Sequence, residues 1–180
     1  MRGIVLISMP GAGKSTVGVL LAKRLGLGFV DTDILIQGRA RRQLQEILDS
    51  AGYSELRRLE EEAILALEAR AAVVATGGSA VYSERAMGHL GESGVLVYLK
   101  ASPDVLAARI DDYGRRGVAN PAGQSFAEIF QERAPLYERW ADLVVDVDGL
   151  THEGAVQAVA AVVRRHAKET GRGNPGCERE

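Results

Sequence analysis

The chain has a single cysteine, Cys177, in 180 residues. No disulfide can form within one chain, and a cysteine-based metal centre has no ligand set to draw on. Aromatic residues make up only 5% of the sequence. Leu136, Tyr137 and Trp140 fall together on one helical stretch and fit a core face better than a base-stacking platform. Neither sign of charge dominates: 22 basic and 24 acidic residues leave a net charge of −2. A chain so balanced has no general drive towards nucleic acid or an anionic membrane. Lysine is scarce, with four lysines against 18 arginines. No apolar run approaches the ~18 residues a membrane span needs. The N-terminal run Ile4-Val5-Leu6-Ile7 is too short for a secretory h-region and leads into a glycine-rich turn. A reducing, cytoplasmic setting is expected. The three histidines, His89, His152 and His166, show no ligand spacing, and surface or half-buried positions are expected for them.

What is present is enough for one core. Hydrophobic residues are 46% and charged residues 26% of the chain, near the globular average. The length suits one domain, taken as residues 1–168, with a frayed tail over 169–180 rich in glycine and mixed charge. Ile4–Ile7 is a continuous apolar run of the kind buried on both faces of a parallel sheet. Phe29-Val30, Ala72–Ala75, Val95–Leu99 and Leu143–Val147 read as four more strands. Between them lie helical patterns: Lys14 to Leu25, ended by Gly26; about Ile34 to Arg70, broken at Gly52-Tyr53 with Ser54 as a cap; Ser83 to Leu90; and Pro103 to about Asp111. Ser125 and Glu128 form a capping box, and Pro135 is expected to interrupt the helix that follows. Thr151 caps a last helix. Residues 113–124, with Gly114, Gly117, Pro121 and Gly123 around Arg115-Arg116, read as a mobile loop. This alternation predicts an α/β fold, a three-layer α/β/α sandwich around a five-stranded parallel sheet. Ligands bind such sheets at the carboxyl ends of strands, so the loops after strands one, two and three are the ones to inspect.

The first strand runs into Ser8-Met9-Pro10-Gly11-Ala12-Gly13-Lys14-Ser15-Thr16, a Walker A phosphate loop in all but its first position. Gly11 and Gly13 let the backbone wrap a phosphate with its N–H groups, and the next helix adds its positive end. Lys14 can reach the β and γ phosphates, and the Ser15 hydroxyl can ligate Mg²⁺. After strand two come Asp31 and Asp33, two residues apart and so on one side of an extended chain. Beside a phosphate loop, one acid can serve hydrated Mg²⁺ and the other an acceptor hydroxyl; the same pair can also be helix N-cap acids. Arg57 and Glu60 are spaced to pair on a helix, and an arginine so held suits a substrate carboxylate; a surface ion pair fits the same spacing. Thr76-Gly77-Gly78-Ser79 allows close backbone approach to a ligand, or is a plain turn. Arg133 stands near a helix junction that can face the cleft or solvent.

Assembled in order, these segments resemble the shikimate kinases, a family with the P-loop nucleoside-monophosphate-kinase fold. The resemblance runs from about Ile4 to Val147 and rests on Gly11-x-Gly13-Lys14-Ser15-Thr16, Phe29-Val30-Asp31-Thr32-Asp33, Leu56-Arg57-Arg58-x-Glu60, Ala75-Thr76-Gly77-Gly78, Arg133-x-Pro135-Leu136-Tyr137 and Ala141-Asp142. It implies a cytoplasmic transferase of aromatic amino-acid biosynthesis that uses ATP and Mg²⁺ to phosphorylate the 3-hydroxyl of shikimate. It also implies roles. Gly11, Ala12, Gly13, Lys14, Ser15, Thr16 and Arg109 bind ATP, with Arg109 near adenine. Ser15 and Asp31 serve the metal. Asp33, Arg57, Gly77, Gly78 and Arg133 bind the acceptor. Lys14, Asp33 and a lid arginine, Arg116 before Arg115, act in transfer, with residues 113–124 as the lid.

Four positions depart from the family: Ser8 for a glycine, Leu56 for a phenylalanine, Ser79 for a third glycine, and a lid without Arg-Pro-Leu. Most touch the acceptor side, so a kinase of another hydroxy acid or polyol is the alternative expectation. A nucleotide-binding protein without catalysis is a further one, opposed by the joint presence of Lys14, Ser15, Asp31, Asp33, Arg57 and Arg133. A monomer, with no nucleic-acid or membrane partner, is expected.

Overall fold

The computed structural model describes residues 2–68, 70–109 and 124–171. The segment 113–124, Arg115 and Arg116 with it, therefore lies outside the described residues apart from Gln124, as does most of the 169–180 tail. Within the described residues, β1 (Gly3–Ile7), β2 (Gly28–Asp31), β3 (Ala72–Ala75), β4 (Gly94–Lys100) and β5 (Leu143–Asp146) form one sheet in the order β2-β3-β1-β4-β5. Every pairing is parallel; Val5 sits opposite Val74 on one side and Leu96 on the other. The central strands β1 and β3 are buried throughout, which is why they read as unbroken apolar runs.

The helices are α1 (Lys14–Leu25), α2 (Thr32–Ala40), α3 (Leu44–Leu65), α4 (Glu84–Ser93), α5 (Pro103–Arg109), α6 (Phe126–Trp140) and α7 (His152–Glu169). The strand order places them. The crossover from β1 to β2 runs one way along the sheet, and those from β2 to β3, β3 to β4 and β4 to β5 run the other way. Parallel crossovers are right-handed, so α1 must cover one face and α3, α4 and α6 the opposite face. The packing agrees: α1 lies against α7, while α3 touches α4 and α6 touches β4. The chain thus leaves β1 and β3, which are neighbours, towards opposite faces, and a crevice opens between their carboxyl ends. None of the described helices is long and apolar enough to cross a membrane.

Local chemistry explains most boundaries. Gly13 (φ 93°) starts α1 and Gly26 (φ 68°) ends it, both left-handed. Ser125 and Glu128 close the expected capping box, and the Thr151 hydroxyl accepts from Gly154 N–H at 3.1 Å. Two boundaries differ from the sequence reading. Arg41, at φ 52°, breaks the stretch from Ile34 to Gly52 into α2 and α3, and Gln43 with Glu46 caps the second piece. Pro135 does not interrupt α6, which runs through it to Trp140. Pro135 and Gln131, whose carbonyl loses its partner, are both exposed, so water can satisfy that oxygen while buried Arg133 and Tyr137 anchor the other face.

The main core surrounds the sheet; a second cluster, Ile36, Ile47, Leu56 and Ala63, ties α2 to α3. Ser8, the departure at the head of the phosphate loop, is buried, and its hydroxyl donates to the Leu99 carbonyl at 2.6 Å. The serine thus ties the end of β1 to β4. Ser8→Ala should cost roughly 1–2 kcal/mol in a urea melt while leaving the ATP KM within about threefold, because the bond lies behind the loop.

Candidate active site

The crevice between β1 and β3 opens into a cavity of about 740 Å³. Its floor is the phosphate loop. Gly11 (φ 85°) and Gly13 (φ 93°) hold conformations that side chains resist, and they turn the chain into the amino end of α1. Ser15 and Thr16 are exposed on the first turn and line the cavity. Lys14 folds back over the loop, its Nζ donating to the carbonyls of Ser8 (2.9 Å) and Met9 (3.0 Å). Burial pulls its pKa down to about 8, against the opposing pull of Asp33, Asp31 and Glu60.

The two aspartates are divided by geometry. Asp31 ends β2 and caps α2: its Oδ1 accepts from the N–H groups of Asp33 (3.0 Å) and Ile34 (3.4 Å). The N-cap reading of Asp31 is therefore correct, and Asp33 stands in the first helical turn, not on an extended chain. Asp33 lines the cavity and Asp31 stands behind it. Burial, with the Asp31 charge, raises the Asp33 pKa to about 6, while Lys14 opposes the rise.

Opposite the phosphate loop, Thr76, Gly77, Gly78 and Ser79 follow β3 along the wall. The Gly77 N–H donates to Thr32 Oγ1 at 2.9 Å. A Cβ on Gly77 would stand 2.1 Å from Glu60 Oε1 and 2.8 Å from Asp33 Oδ1; one on Gly78 would meet Pro10 Cδ at 3.0 Å and Arg133 Nη1 at 3.1 Å. A side chain at Gly77 would displace the Glu60 and Asp33 carboxyls, and one at Gly78 would press on Pro10 and Arg133. The Gly78 carbonyl accepts a 2.6 Å hydrogen bond from the Tyr137 hydroxyl, which is wholly buried. Arg133 is buried too, lines the cavity, and donates from Nε to the Tyr82 hydroxyl at 3.2 Å.

Glu60 does not pair with Arg57. It accepts a short hydrogen bond from the Ser79 hydroxyl through Oε2, and its buried Oε1 has no hydrogen-bond partner among the described residues. Arg57 instead lies over the Tyr82 ring, 4.3 Å from its centre, in a side pocket of about 310 Å³ that shares Glu60 and Ser79 with the main cavity. The ion pairs of that charged stretch belong to Arg58, with Glu55 and Glu62. Arg109 lines the far end of the cavity with Leu150, Thr151 and His152. His152 was not expected there. It is exposed, yet a Cβ on Gly13 would meet its ring at 3.6 Å. Its signal was its place just after the fifth strand, where the strand-end rule applies as it does after the first three. Leu56 lies on the wall with Ile36 and Leu44, an apolar side facing the glycines. Arg116 lies outside the described residues.

The carboxyl of Glu60 is the most compromised group here. Burial and the Asp33 charge raise its pKa to about 7, while Ser79, Arg133 and Lys14 hold it down. The folded protein grips this proton harder than the unfolded chain, so stability is lost as pH climbs from about 4.5 to 7 and the penalty is complete above that. Glu60→Gln keeps an acceptor for Ser79 and turns an N–H₂ towards Asp33. It should raise Tm by roughly 3–6 °C at pH 8 and leave it unchanged near pH 4, where both variants are neutral at this position. Melts at the two pH values check this; an equal gain at both would mean packing, not charge.

The sequence profile of the shikimate kinase family matches residues 10–164. A shikimate kinase of Thermodesulfovibrio yellowstonii is 39% identical over 163 residues, 88% of this chain and 93% of that one. One of Geobacter sulfurreducens is 40% identical over 168 residues, 92% of each chain. Among solved structures, the shikimate kinase of Acinetobacter baumannii in complex with shikimate superposes with a TM-score of 0.80 at 27% identity, covering 96% of each chain. On the family profile and these relatives, the chain, whose phosphate loop faces Asp33 and a glycine pair across one cavity, belongs to the shikimate kinase family, ATP-dependent phosphotransferases with an alcohol acceptor.

Proposed function

We propose that the protein moves the γ-phosphoryl group of ATP to the 3-hydroxyl of shikimate, and that the cavity residues divide the work between the two substrates. The observation that carries this reading is the convergence of Lys14, Asp33, Gly78 and Arg133 on one cavity. ATP lies along the loop Gly11–Thr16, its phosphates held by backbone N–H groups and by Lys14, its base towards Arg109. The acceptor lies against Gly77 and Gly78, with its hydroxyl at Asp33 and its carboxylate towards Arg133 and Arg57.

The hydroxyl oxygen forms a bond to the γ-phosphorus as the bond from phosphorus to the ADP oxygen breaks. Such transfers need positioning and charge more than a strong base. Asp33 accepts the hydrogen bond of the attacking hydroxyl and takes its proton as the new ester forms. A pKa of about 6 leaves it largely ionised, and so an acceptor, at neutral pH. Lys14 must leave the Ser8 and Met9 carbonyls to reach the transferred group, whose charge then raises its pKa again.

The donor set fits Mg²⁺. Ser15 makes no side-chain hydrogen bond among the described residues, and Asp31 engages its cap through Oδ1 alone, leaving Oδ2. A hydroxyl and a carboxylate are hard oxygen donors. No group of three or more acidic, histidine or cysteine side chains is placed to hold a metal among the described residues. Mg²⁺ would thus share its shell with water and phosphate, and when bound it would neutralise charge on the phosphate oxygens. We place the protein in the cytoplasm as a monomer, on its balanced charge and lone cysteine.

Purified protein offered shikimate, quinate and gluconate with ATP and Mg²⁺ should release ADP with shikimate alone. Turnover only with gluconate would overturn the acceptor assignment. Lys14→Ala should lower turnover by about 10²-fold or more with the fold retained, and a melt run beside the rate assay reads the separate effect of losing its two hydrogen bonds to the Ser8 and Met9 carbonyls. Asp33→Asn should lower kcat by about 10²-fold or more with nucleotide affinity nearly unchanged. A loss confined to nucleotide affinity would move Asp33 to the metal's side.

A further inference from the structure

The two arginines assigned to the acceptor's carboxylate share one neighbour. They touch a tyrosine. The Arg57 guanidinium carbon lies 4.3 Å from the centre of the Tyr82 ring, and that of Arg133 lies 5.2 Å from the same ring. Arg133 also donates from Nε to the Tyr82 hydroxyl at 3.2 Å. Tyr82 ends the 3-10 turn Ala80–Tyr82 that leads away from the glycine pair, so its position is fixed by the wall it serves. Ser83 follows it as the N-cap of α4 and gives its hydroxyl hydrogen to Glu61 at 2.6 Å, which pins the turn to α3. Tyr82 lines the side pocket with Arg57 and does not line the main cavity.

We propose that Tyr82 is a positioning residue for acceptor binding: its ring carries Arg57 and its hydroxyl fixes Arg133, so that both guanidiniums are presented together to the acceptor's carboxylate. A cation over an aromatic face is attracted by it, and here one ring serves two guanidiniums. A hydrogen bond at Nε orients the plane of a guanidinium, and the plane decides whether its fork meets a carboxylate. Glu60, three residues on, binds the Ser79 hydroxyl through Oε2 and makes no ion pair with Arg57. The tyrosine thus holds an arginine that its helix neighbour does not. No family resemblance assigned a role to position 82, and this inference rests on the acceptor reading given above.

The test separates ring from hydroxyl, and carboxylate from the rest of the acceptor. Tyr82→Leu removes both and should raise the KM for shikimate about 10-fold or more, while Tyr82→Phe keeps the ring and should raise it about threefold. In both variants kcat and the KM for ATP should stay within about twofold, because phosphoryl transfer occurs beyond the arginines' reach. With shikimate's primary amide as acceptor, wild type and Tyr82→Leu should differ by less than about twofold, since the charge that the arginines read is gone. Equal KM values for wild type and Tyr82→Leu on shikimate would overturn the proposal. So would an equal loss on the acid and the amide, which would mean that Tyr82 only supports the fold. A wild type inactive on shikimate would overturn the acceptor reading itself, and this inference with it, which is a different result from normal wild-type turnover with indifferent variants.

Discussion

Everything polar in the cleft converges on a stretch of backbone with no room for side chains. Gly77 and Gly78 fill the space between Glu60 and Asp33 on one side and Pro10 and Arg133 on the other. Those contacts come from α3, α2, the phosphate loop and α6, elements that reach the site from both faces of the sheet. The glycine pair lets these elements approach one another closely across the cavity. It is itself held from behind, by Thr32 on the Gly77 N–H and by Tyr137 on the Gly78 carbonyl. A methyl group there would push the acid and the arginine apart before it touched any substrate.

Such convergence sets buried charges against one another. Lys14, Asp33 and Glu60 all have their charged forms disfavoured by burial; Lys14 and the two carboxyls favour one another's charge, while Asp33 works against that of Glu60. The protein alone does not complete the balance: Glu60 keeps an unpartnered oxygen, and Lys14 satisfies itself on backbone carbonyls.

The sheet was legible because β1, β3 and β4 are buried on both faces and therefore apolar without interruption. The phosphate loop was legible because glycine, lysine and serine at fixed spacing carry their mechanism locally. What stayed hidden depended on tertiary partners. Nothing in the spacing of Arg57 and Glu60 reveals that Ser79, nineteen residues on, takes the carboxyl and Tyr82 takes the guanidinium. The break at Arg41 was hidden because arginine rarely adopts positive φ. Pro135 misled because its cost depends on whether the orphaned carbonyl faces water, which sequence does not state. His152 was missed because a helix N-terminus after an edge strand looks like surface until the cavity's far end is drawn.

The departures from the family share a physical logic. Ser8 and Ser79 replace glycines with hydroxyls, and each hydroxyl turns away from where substrates would lie. Ser8 binds the Leu99 carbonyl, and Ser79 binds Glu60. Neither adds a donor to the cavity; each stiffens the wall behind it. Leu56, in place of a phenylalanine, belongs to the small core shared by α2 and α3 while still lining the cavity, so it trades a flat ring for aliphatic packing against Ile36. One layer further back, Tyr82 supplies an aromatic face to Arg57 and Arg133. The site thus keeps its polar contacts at the glycine pair and moves its aromatic support one layer outward, where it can act only through the guanidiniums it carries.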